Sequence, residues 1–121
     1  MSNFNITSLS HKIADKKVRV IKIMGSLDAC NIPHVEEALH SYIEEGIGHL
    51  VVNLKKLEYI SSGGIGTLVK FAKELKSKKG SLKIVELPKK IQGVLNTLGI
   101  ATILDTHNTA KEAFLSIQKG R

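Results

Sequence analysis

The fold is decided by the stretch Tyr59-Ile60-Ser61-Ser62-Gly63-Gly64-Ile65-Gly66. It follows an apolar run at residues 50–54 that is rich in β-branched side chains, and it leads into an amphipathic pattern over residues 65–75. The first run is typical of a buried strand and the second of a helix, which makes the stretch a strand-to-helix turn. Hydroxyls and glycines at a helix start suit a phosphate, because the backbone amides and the helix dipole favour negative charge there. This raises the hypothesis that Ser62 is a substrate for another enzyme.

The sequence before the serine turn predicts a hairpin and a helix, and the sequence after the turn predicts a second helix. Residues 6–13 and 18–24 have strand composition and flank a polar turn, which predicts an opening hairpin. An apolar stripe at helical spacing then begins after Asn31, a plausible N-cap residue. The helix after the serine turn carries lysines on its outer face and is predicted to end with Gly80 in the C′ position.

The C-terminal third supplies two more strands and two more helices. Residues 82–85 predict a strand, residues 88–98 a short helix and residues 100–104 a short edge strand. Thr109 and Glu112 have the spacing of a capping box, which predicts the start of a final helix.

The resulting order β-β-α-β-α-β-α-β-α predicts an α/β fold with a mixed sheet of four to five strands and about four helices. The chain of 121 residues is expected to form one domain spanning residues 1–121. Because crossovers between parallel strands are right-handed, the loop at Asp28 and the turn at Ser62 are expected at the same end of the sheet. Ligands and partners usually bind an open sheet at that end.

The composition disfavours nucleic-acid binding. The net charge is +7, from 18 basic and 11 acidic residues, but the only arginines are Arg19 and Arg121. Three phenylalanines and two tyrosines are the only aromatic residues. Bidentate contacts to bases rely on arginine, and stacking on bases relies on aromatic rings. The positive charge instead favours attraction to an acidic partner surface.

The sequence also predicts a cytoplasmic protein that does not bind membranes. No segment is apolar for long enough to cross a bilayer, and the first residues lack the basic and apolar layout of a signal peptide. The single cysteine, Cys30, cannot form an internal disulfide, which agrees with a reducing compartment. We expect Cys30 to be a small buried or half-buried side chain.

Motifs for enzymes and cofactors do not fit the turn. No lysine follows Gly66 as a nucleotide-binding P-loop requires, and the glycines have the wrong spacing for a dinucleotide fingerprint. Position 60 is isoleucine, whereas a nucleophile elbow needs glycine there. The five histidines are scattered and predict no metal site. We therefore expect no cofactor and no enzymatic activity. The local sequence leaves open that Ser61 or Ser62 only caps the helix.

Three segments in order resemble the STAS domain family of anti-sigma factor antagonists. Residues 25–29, Gly-Ser-Leu-Asp-Ala, resemble the first loop of the family, usually Gly-x-Leu/Ile-Asp-Ala. Residues 51–60 resemble its central strand and the approach to the phosphorylation site. Residues 61–66 resemble the motif Asp-Ser-Ser/Thr/Ala-Gly-Leu/Ile-Gly. The resemblance runs over nearly the whole chain.

The resemblance implies a mechanism called partner switching. A serine-kinase anti-sigma factor phosphorylates the antagonist, and a metal-dependent serine phosphatase reverses the modification. The phosphoacceptor falls on Ser62. Ser61 takes the place of the family's acidic residue and is the alternative acceptor, while Gly63 stands where some members carry a second hydroxyl.

The unmodified antagonist is expected to bind its partner through the surface around the acceptor. The residues assigned to that surface are Asp28, Ile60, Ser61, Gly63, Gly64 and Ile65. Asp28 also has an alternative role as a residue that caps the first helix or orders its loop.

Two further functions stay open from the sequence. The chain could be a STAS scaffold or a transporter-associated subunit that binds a partner without being phosphorylated. It could also be a nucleotide-binding protein that uses the glycine turn, in which case the isolated chain would bind nucleotide tightly.

Overall fold

The computed structural model describes residues 3–100 and 102–120. The strands are β1 (Asn5–Ile13), β2 (Lys16–Leu27), β3 (His49–Asn53), β4 (Leu57–Ile60), β5 (Ser81–Val85) and β6 (Asp105–His107). The helices are α1 (Ile32–Glu44), α2 (Ser62–Ser77), α3 (Lys89–Thr97) and α4 (Ala110–Gln118). Within the described residues, none of these helices has the length and apolar character needed to cross a bilayer.

The sheet has one strand more than expected, because β2 is long enough to pair with two strands in succession. The main path is β1-β2-β3-β5-β6, in which β1 is antiparallel to β2 and the other neighbours are parallel. The pairing of β3 with β2 ends at Lys22, and β4 then pairs with Gly25–Leu27 of β2. The fold is therefore the predicted mixed α/β arrangement, with six strands among the described residues rather than four to five.

Two hydrophobic clusters lie on opposite faces of the sheet. The larger cluster joins buried side chains of α1, α2 and α3 to one face of the strands, and it includes Leu39, Phe71 and Leu95. The smaller one lies under α4, where Ala113 and Ile117 pack on valines of β2, β3 and β5. The apolar stripes predicted for the first two helices point into the larger cluster, which confirms their periodicity.

The opening hairpin and the cap of the last helix are also confirmed. β1 and β2 pair in continuous register from Asn5 opposite Met24 to Ile13 opposite Lys16. At α4, the Thr109 hydroxyl accepts a hydrogen bond from the Glu112 amide at 3.2 Å. The Glu112 carboxylate in turn accepts from the amide of Asn108, one residue before the cap, also at 3.2 Å.

The edge strand predicted at residues 100–104 is wrong. Residue 101 lies outside the described residues; around it, the amide of Ile103 donates to the carbonyl of Ile100 at 3.0 Å, which makes a turn. The strand β6 begins directly after the predicted segment, at Asp105–His107. Asp105 is fixed there because its carboxylate contacts the ammonium of Lys83 on the neighbouring strand at 2.5 Å.

Two smaller expectations differ from the structure as well. Lys79, not Gly80, adopts the left-handed conformation after α2, with φ of 64°. Gly80 is needed for a different reason, because a Cβ there would overlap the carbonyl oxygen of Gly48. Cys30 is exposed rather than buried, because it lies in the loop before α1.

Candidate functional site

The two adjacent serines at the start of α2 have different roles in the structure. Ser61 is the N-cap residue: its backbone is extended, and its hydroxyl accepts a hydrogen bond from the amide of Gly64 at 3.1 Å. Ser62 is the first residue of the helix and is exposed. Among residues 3–100 and 102–120, no group hydrogen-bonds to the Ser62 hydroxyl. The sequence left open which of the two serines caps the helix, and in the structure the capping residue is Ser61.

The turn at Ser62 and the loop at Asp28 are neighbours, as the crossover rule predicted. β4 runs parallel to the last residues of β2, and the amide of Ser61 donates to the carbonyl oxygen of Leu27 at 2.9 Å. On the other side of the turn, a Cβ on Gly63 would lie 3.2 Å from Cδ1 of Ile32 in the first turn of α1. The starts of α1 and α2 are thus held side by side at one end of the sheet.

Gly64 lets the start of α2 approach the end of β2 closely. A Cβ at this position would lie 2.7 Å from the Leu27 carbonyl oxygen and 3.0 Å from Cγ1 of Ile60. The residue is buried, whereas Gly63 is exposed. Of the two glycines that we assigned to the partner-binding surface, only Gly63 is therefore accessible, and Gly64 serves internal packing.

Asp28 orders its own loop. Its carboxylate accepts a hydrogen bond from the amide of Cys30 at 3.1 Å, and its carbonyl oxygen accepts from the amides of Asn31 and Ile32. Asn31 occupies the N-cap position of α1, but its side chain makes no capping bond and donates instead to the Ser26 carbonyl at 2.7 Å. The loop is thus fixed by two short-range side-chain contacts. Asp28 remains half-buried at the surface beside the turn.

Ile60 and Ile65 are not where we expected them. Their side chains are 5% and 3% exposed and belong to the larger core cluster, so they cannot form an apolar docking surface. The exposed apolar side chain in this region is Tyr59, which is 55% accessible. Sequence reasoning missed it because the pattern of Leu57–Ile60 is buried, exposed, exposed, buried instead of alternating. The only signal was the presence of an aromatic residue three positions before Ser62.

The start of α2 itself is favourable for an anion, although the Asp28 carboxylate lies in the neighbouring loop. The first turn of α2 contains no acidic side chain, so no carboxylate there opposes the positive end of the helix dipole. Further along the helix, Lys70 contacts Glu36 of α1 at 3.3 Å. Within the described residues, no three or more histidine, cysteine or acidic side chains are grouped to hold a metal ion.

The groups with shifted pKa values lie under α4, away from the turn. Burial lowers the pKa of His49, and the positive charges of Lys16 and Lys83 lower it further. Burial raises the pKa of Asp105, but hydrogen bonding to Lys83 and the charges of Lys83 and His107 outweigh this and lower it overall. These shifts concern stability rather than the chemistry of the serine turn.

Comparison of the sequence with known proteins gives one family. Residues 11–113 match the model of the STAS domain. The protein BtrV of Bordetella bronchiseptica is 30% identical over 105 residues, covering 80% of this chain and 90% of BtrV. The anti-sigma-B factor antagonist of Staphylococcus epidermidis is 28% identical over 102 residues, covering 84% of this chain and 91% of that protein.

Comparison of the fold agrees. The unphosphorylated anti-sigma factor antagonist SpoIIAA superposes with a TM-score of 0.74 at 17% identity, over 93% of this chain and 97% of SpoIIAA. The phosphorylated form of the Bacillus protein SpoIIAA gives 0.66 at 18% identity, over 92% and 99% of the two chains. At these identities the likeness concerns the fold alone.

Proposed function

Since the chain belongs to the STAS domain family, we propose that it is an anti-sigma factor antagonist controlled by phosphorylation of Ser62. In this proposal the unmodified chain binds an anti-sigma factor, and the phosphorylated chain does not. The role is regulatory and needs no catalytic residue in this chain. The similarity to the anti-sigma-B factor antagonist of Staphylococcus epidermidis supports the antagonist role.

The exposure of Ser62 is the observation that carries the choice of acceptor. Its hydroxyl is accessible at the start of α2, whereas the Ser61 hydroxyl is half-buried and already accepts the hydrogen bond from Gly64. A kinase that used Ser61 would have to break this cap, which is worth about 1 kcal/mol. Modification of Ser62 needs no such change.

The free domain should tolerate a phosphate on Ser62. The modification adds a charge of about −1.5 to −2 at neutral pH. Helix amides and the helix dipole stabilise negative charge at this end, and α2 has no acidic side chain in its first turn. The fold should therefore survive, and the effect of phosphorylation should lie in the interface with the partner.

A partner packed over Ser62 would have to remove water from the phosphate. Leaving a charge buried without a counter-ion costs several kcal/mol, and each 1.4 kcal/mol changes an affinity tenfold. We therefore expect phosphorylation to weaken binding by orders of magnitude. The accessible residues next to Ser62 along the chain or in the neighbouring loop are exposed Gly63 and Tyr59 and half-buried Asp28, and we expect such a partner to cover them.

The partners in this proposal are an anti-sigma factor with serine-kinase activity and a metal-dependent serine phosphatase. In this proposal the chain itself binds no nucleic acid, no membrane and no cofactor. We place the reaction in the cytoplasm, and the single cysteine, Cys30, is consistent with that compartment.

Mass spectrometry after incubation with ATP and the candidate kinase from the same genome tests the acceptor. We expect the wild-type chain and the Ser61→Ala variant to gain one phosphate and Ser62→Ala to gain none. Uptake of phosphate by Ser62→Ala would overturn the choice of acceptor. A chain that binds the anti-sigma factor but never gains phosphate would instead be an unphosphorylated STAS scaffold.

Affinity capture tests the switch itself. Immobilised Ser62→Ala should retain the anti-sigma factor, and Ser62→Asp should lose it, because the aspartate introduces a charge that the interface must desolvate. Leu115→Ala, at an exposed position of α4 on the other face of the sheet, serves as the control and should bind like the wild type. Equal retention by Ser62→Ala and Ser62→Asp would contradict the switch.

A further inference from the structure

Strand β1 is an open edge of the sheet. It spans nine residues and pairs with β2 on one side, and within the described residues no strand pairs with its other side. Natural proteins usually protect such an edge with prolines, bulges or charged side chains. β1 contains no proline, its register with β2 has no shift, and its only lysine is Lys12 near one end. The edge is thus available for pairing with a further strand.

The hairpin geometry decides which backbone groups face outward. β1 and β2 are joined by a two-residue loop, Ala14 and Asp15, with Ala14 at a φ of 55°. A loop of this kind closes on a hydrogen-bonded pair, here Ile13 and Lys16. Hydrogen-bonded and non-hydrogen-bonded pairs then alternate along an antiparallel ladder. The residues whose amide and carbonyl groups point away from β2 are therefore Ile6, Ser8, Ser10 and Lys12.

This outward set is complementary to itself about a two-fold axis at Leu9. In an antiparallel pair of two β1 strands, Ser8 then faces Ser10 of the other copy, and Ile6 faces Lys12. All outward groups find partners, which gives about eight main-chain hydrogen bonds. An axis at Ser8 or at Ser10 would leave an outward residue opposite Phe4 or Ala14, outside the strand.

The side chains favour the same axis. Leu9 is 67% exposed, the most exposed large hydrophobic side chain among the described residues. At the axis it would face its own copy in a non-hydrogen-bonded pair, where side chains come closest. The two Lys12 side chains would lie about 20 Å apart along the ribbon. That separation exceeds the Debye length of about 8 Å at physiological ionic strength, so the repulsion between them is screened.

We propose that β1 is the interface of a homodimer, in which two copies pair antiparallel about a two-fold axis at Leu9. The two sheets then form one continuous sheet. β4, which leads to Ser62, pairs with the opposite side of β2 from β1, so the dimer leaves the serine turn accessible. The interface is independent of phosphorylation and of any anti-sigma factor.

Sedimentation equilibrium of the full chain, from ~10 μM to ~1 mM, tests the dimer over the range of weak affinities. We expect the wild type to show a monomer–dimer equilibrium and Leu9→Lys to raise its dissociation constant at least tenfold. Leu98→Lys is the matched control, because Leu98 is also an exposed leucine but lies at the end of α3. This variant should dimerise like the wild type. A wild type that stays monomeric at the highest concentration, or a dimer that Leu9→Lys leaves unchanged, would overturn the proposal.

Disulfide trapping tests the position of the axis. In a Cys30→Ser background, Leu9→Cys places two thiols opposite each other in a pair with Cα atoms about 4.5 Å apart, which a disulfide can bridge. Mild oxidation should give a linked dimer of Leu9→Cys many times faster than of Leu98→Cys in the same background. Equal rates would reject the axis at Leu9. Growth into larger species instead of a dimer would reject a closed two-fold pairing.

Discussion

A Cβ atom on Gly64 would lie 2.7 Å from the carbonyl oxygen of Leu27, so helix α2 reaches the end of β2 only because residue 64 lacks a side chain. The obstructing atoms include backbone, which cannot rotate away. The same carbonyl oxygen of Leu27 accepts a hydrogen bond from the amide of Ser61. Together, the close contact and this hydrogen bond hold the serine turn against the loop that contains Asp28.

Replacing Gly64 by alanine should therefore destabilise the protein. We expect Gly64→Ala to lower the free energy of unfolding by about 1–3 kcal/mol, the usual cost of forcing extra atoms into a packed site. Gly66→Ala is the control in the same helix, since a Cβ there meets no atom within 4 Å. It should be neutral or stabilising by up to about 1 kcal/mol because alanine is the better helix former. Urea denaturation measures both, and equal effects would contradict the packing argument.

The two serines should respond differently to removal of their hydroxyls. Ser61→Ala deletes the hydrogen bond to the Gly64 amide and should cost about 1 kcal/mol of stability. Ser62→Ala removes an exposed hydroxyl and should stay within about 0.5 kcal/mol of the wild type. Thermal and chemical unfolding report these differences. A larger loss for Ser62→Ala than for Ser61→Ala would show that the capping role is assigned to the wrong residue.

Removing the Asp105 carboxylate should lower the free energy of unfolding more than removing the Lys83 ammonium. The Lys83 side chain is only 1% exposed, and Asp105 contacts it at 2.5 Å. Asp105→Asn leaves a buried ammonium without an anion, a change that costs about 3–5 kcal/mol in fully buried pairs. The Asp105 side chain is half exposed, so water should reduce the loss to about 1–3 kcal/mol.

Lys83→Met is the matched change on the other strand. It keeps the buried apolar stem and returns Asp105 to water, so its effect on the free energy of unfolding should be the smaller of the two. Chemical denaturation at neutral pH, extended to the double variant, would measure the coupling. A greater loss for Lys83→Met than for Asp105→Asn would contradict the account.

The stability of the protein should fall as the pH drops below about 7, in part because of His49. Burial, followed by the charges of Lys16 and Lys83, holds the pKa of His49 below its ordinary value of 6.5. The unfolded chain therefore binds the proton first, and the unfolding free energy decreases as pH falls from about 7 towards the folded pKa.

His49→Gln removes this titration and retains an amide that can hydrogen-bond to Ser81, whose hydroxyl lies 2.7 Å from the His49 ring. Urea unfolding between about pH 5 and pH 7 should show a shallower slope for His49→Gln than for the wild type. The range stays above the titration of Asp105, whose pKa is lowered from 3.8. Parallel slopes would contradict the burial of an uncharged His49.

Most of the regular elements could be predicted because their sequence carries a local signal. Periodicity fixed α1 and α2, the polar turn fixed the hairpin, and the Thr109 capping box fixed the start of α4. The meeting of the Asp28 loop and the serine turn followed from the handedness of crossovers. The choice between Ser61 and Ser62 as helix cap needed the structure, because both carry the same hydroxyl.

The failures come from contacts between distant parts of the chain. β4 has no alternating pattern, and it exists because the end of β2 extends past β3 and offers it a partner. β6 contains polar residues in place of the apolar run before it, and it is fixed by the contact of Asp105 with Lys83. Ile60 and Ile65 look available next to glycines in sequence, but the closeness that Gly64 allows buries them.

The division of labour between the two serines also makes position 62 a convenient attachment point for a probe. A thiol-reactive fluorophore on Ser62→Cys, in a Cys30→Ser background, would leave the hydroxyl that caps α2 untouched. On the free chain the dye would be exposed to solvent, and its emission would change when another molecule binds over that end of the sheet. The same label could therefore be used to search a set of purified candidates for whatever docks there.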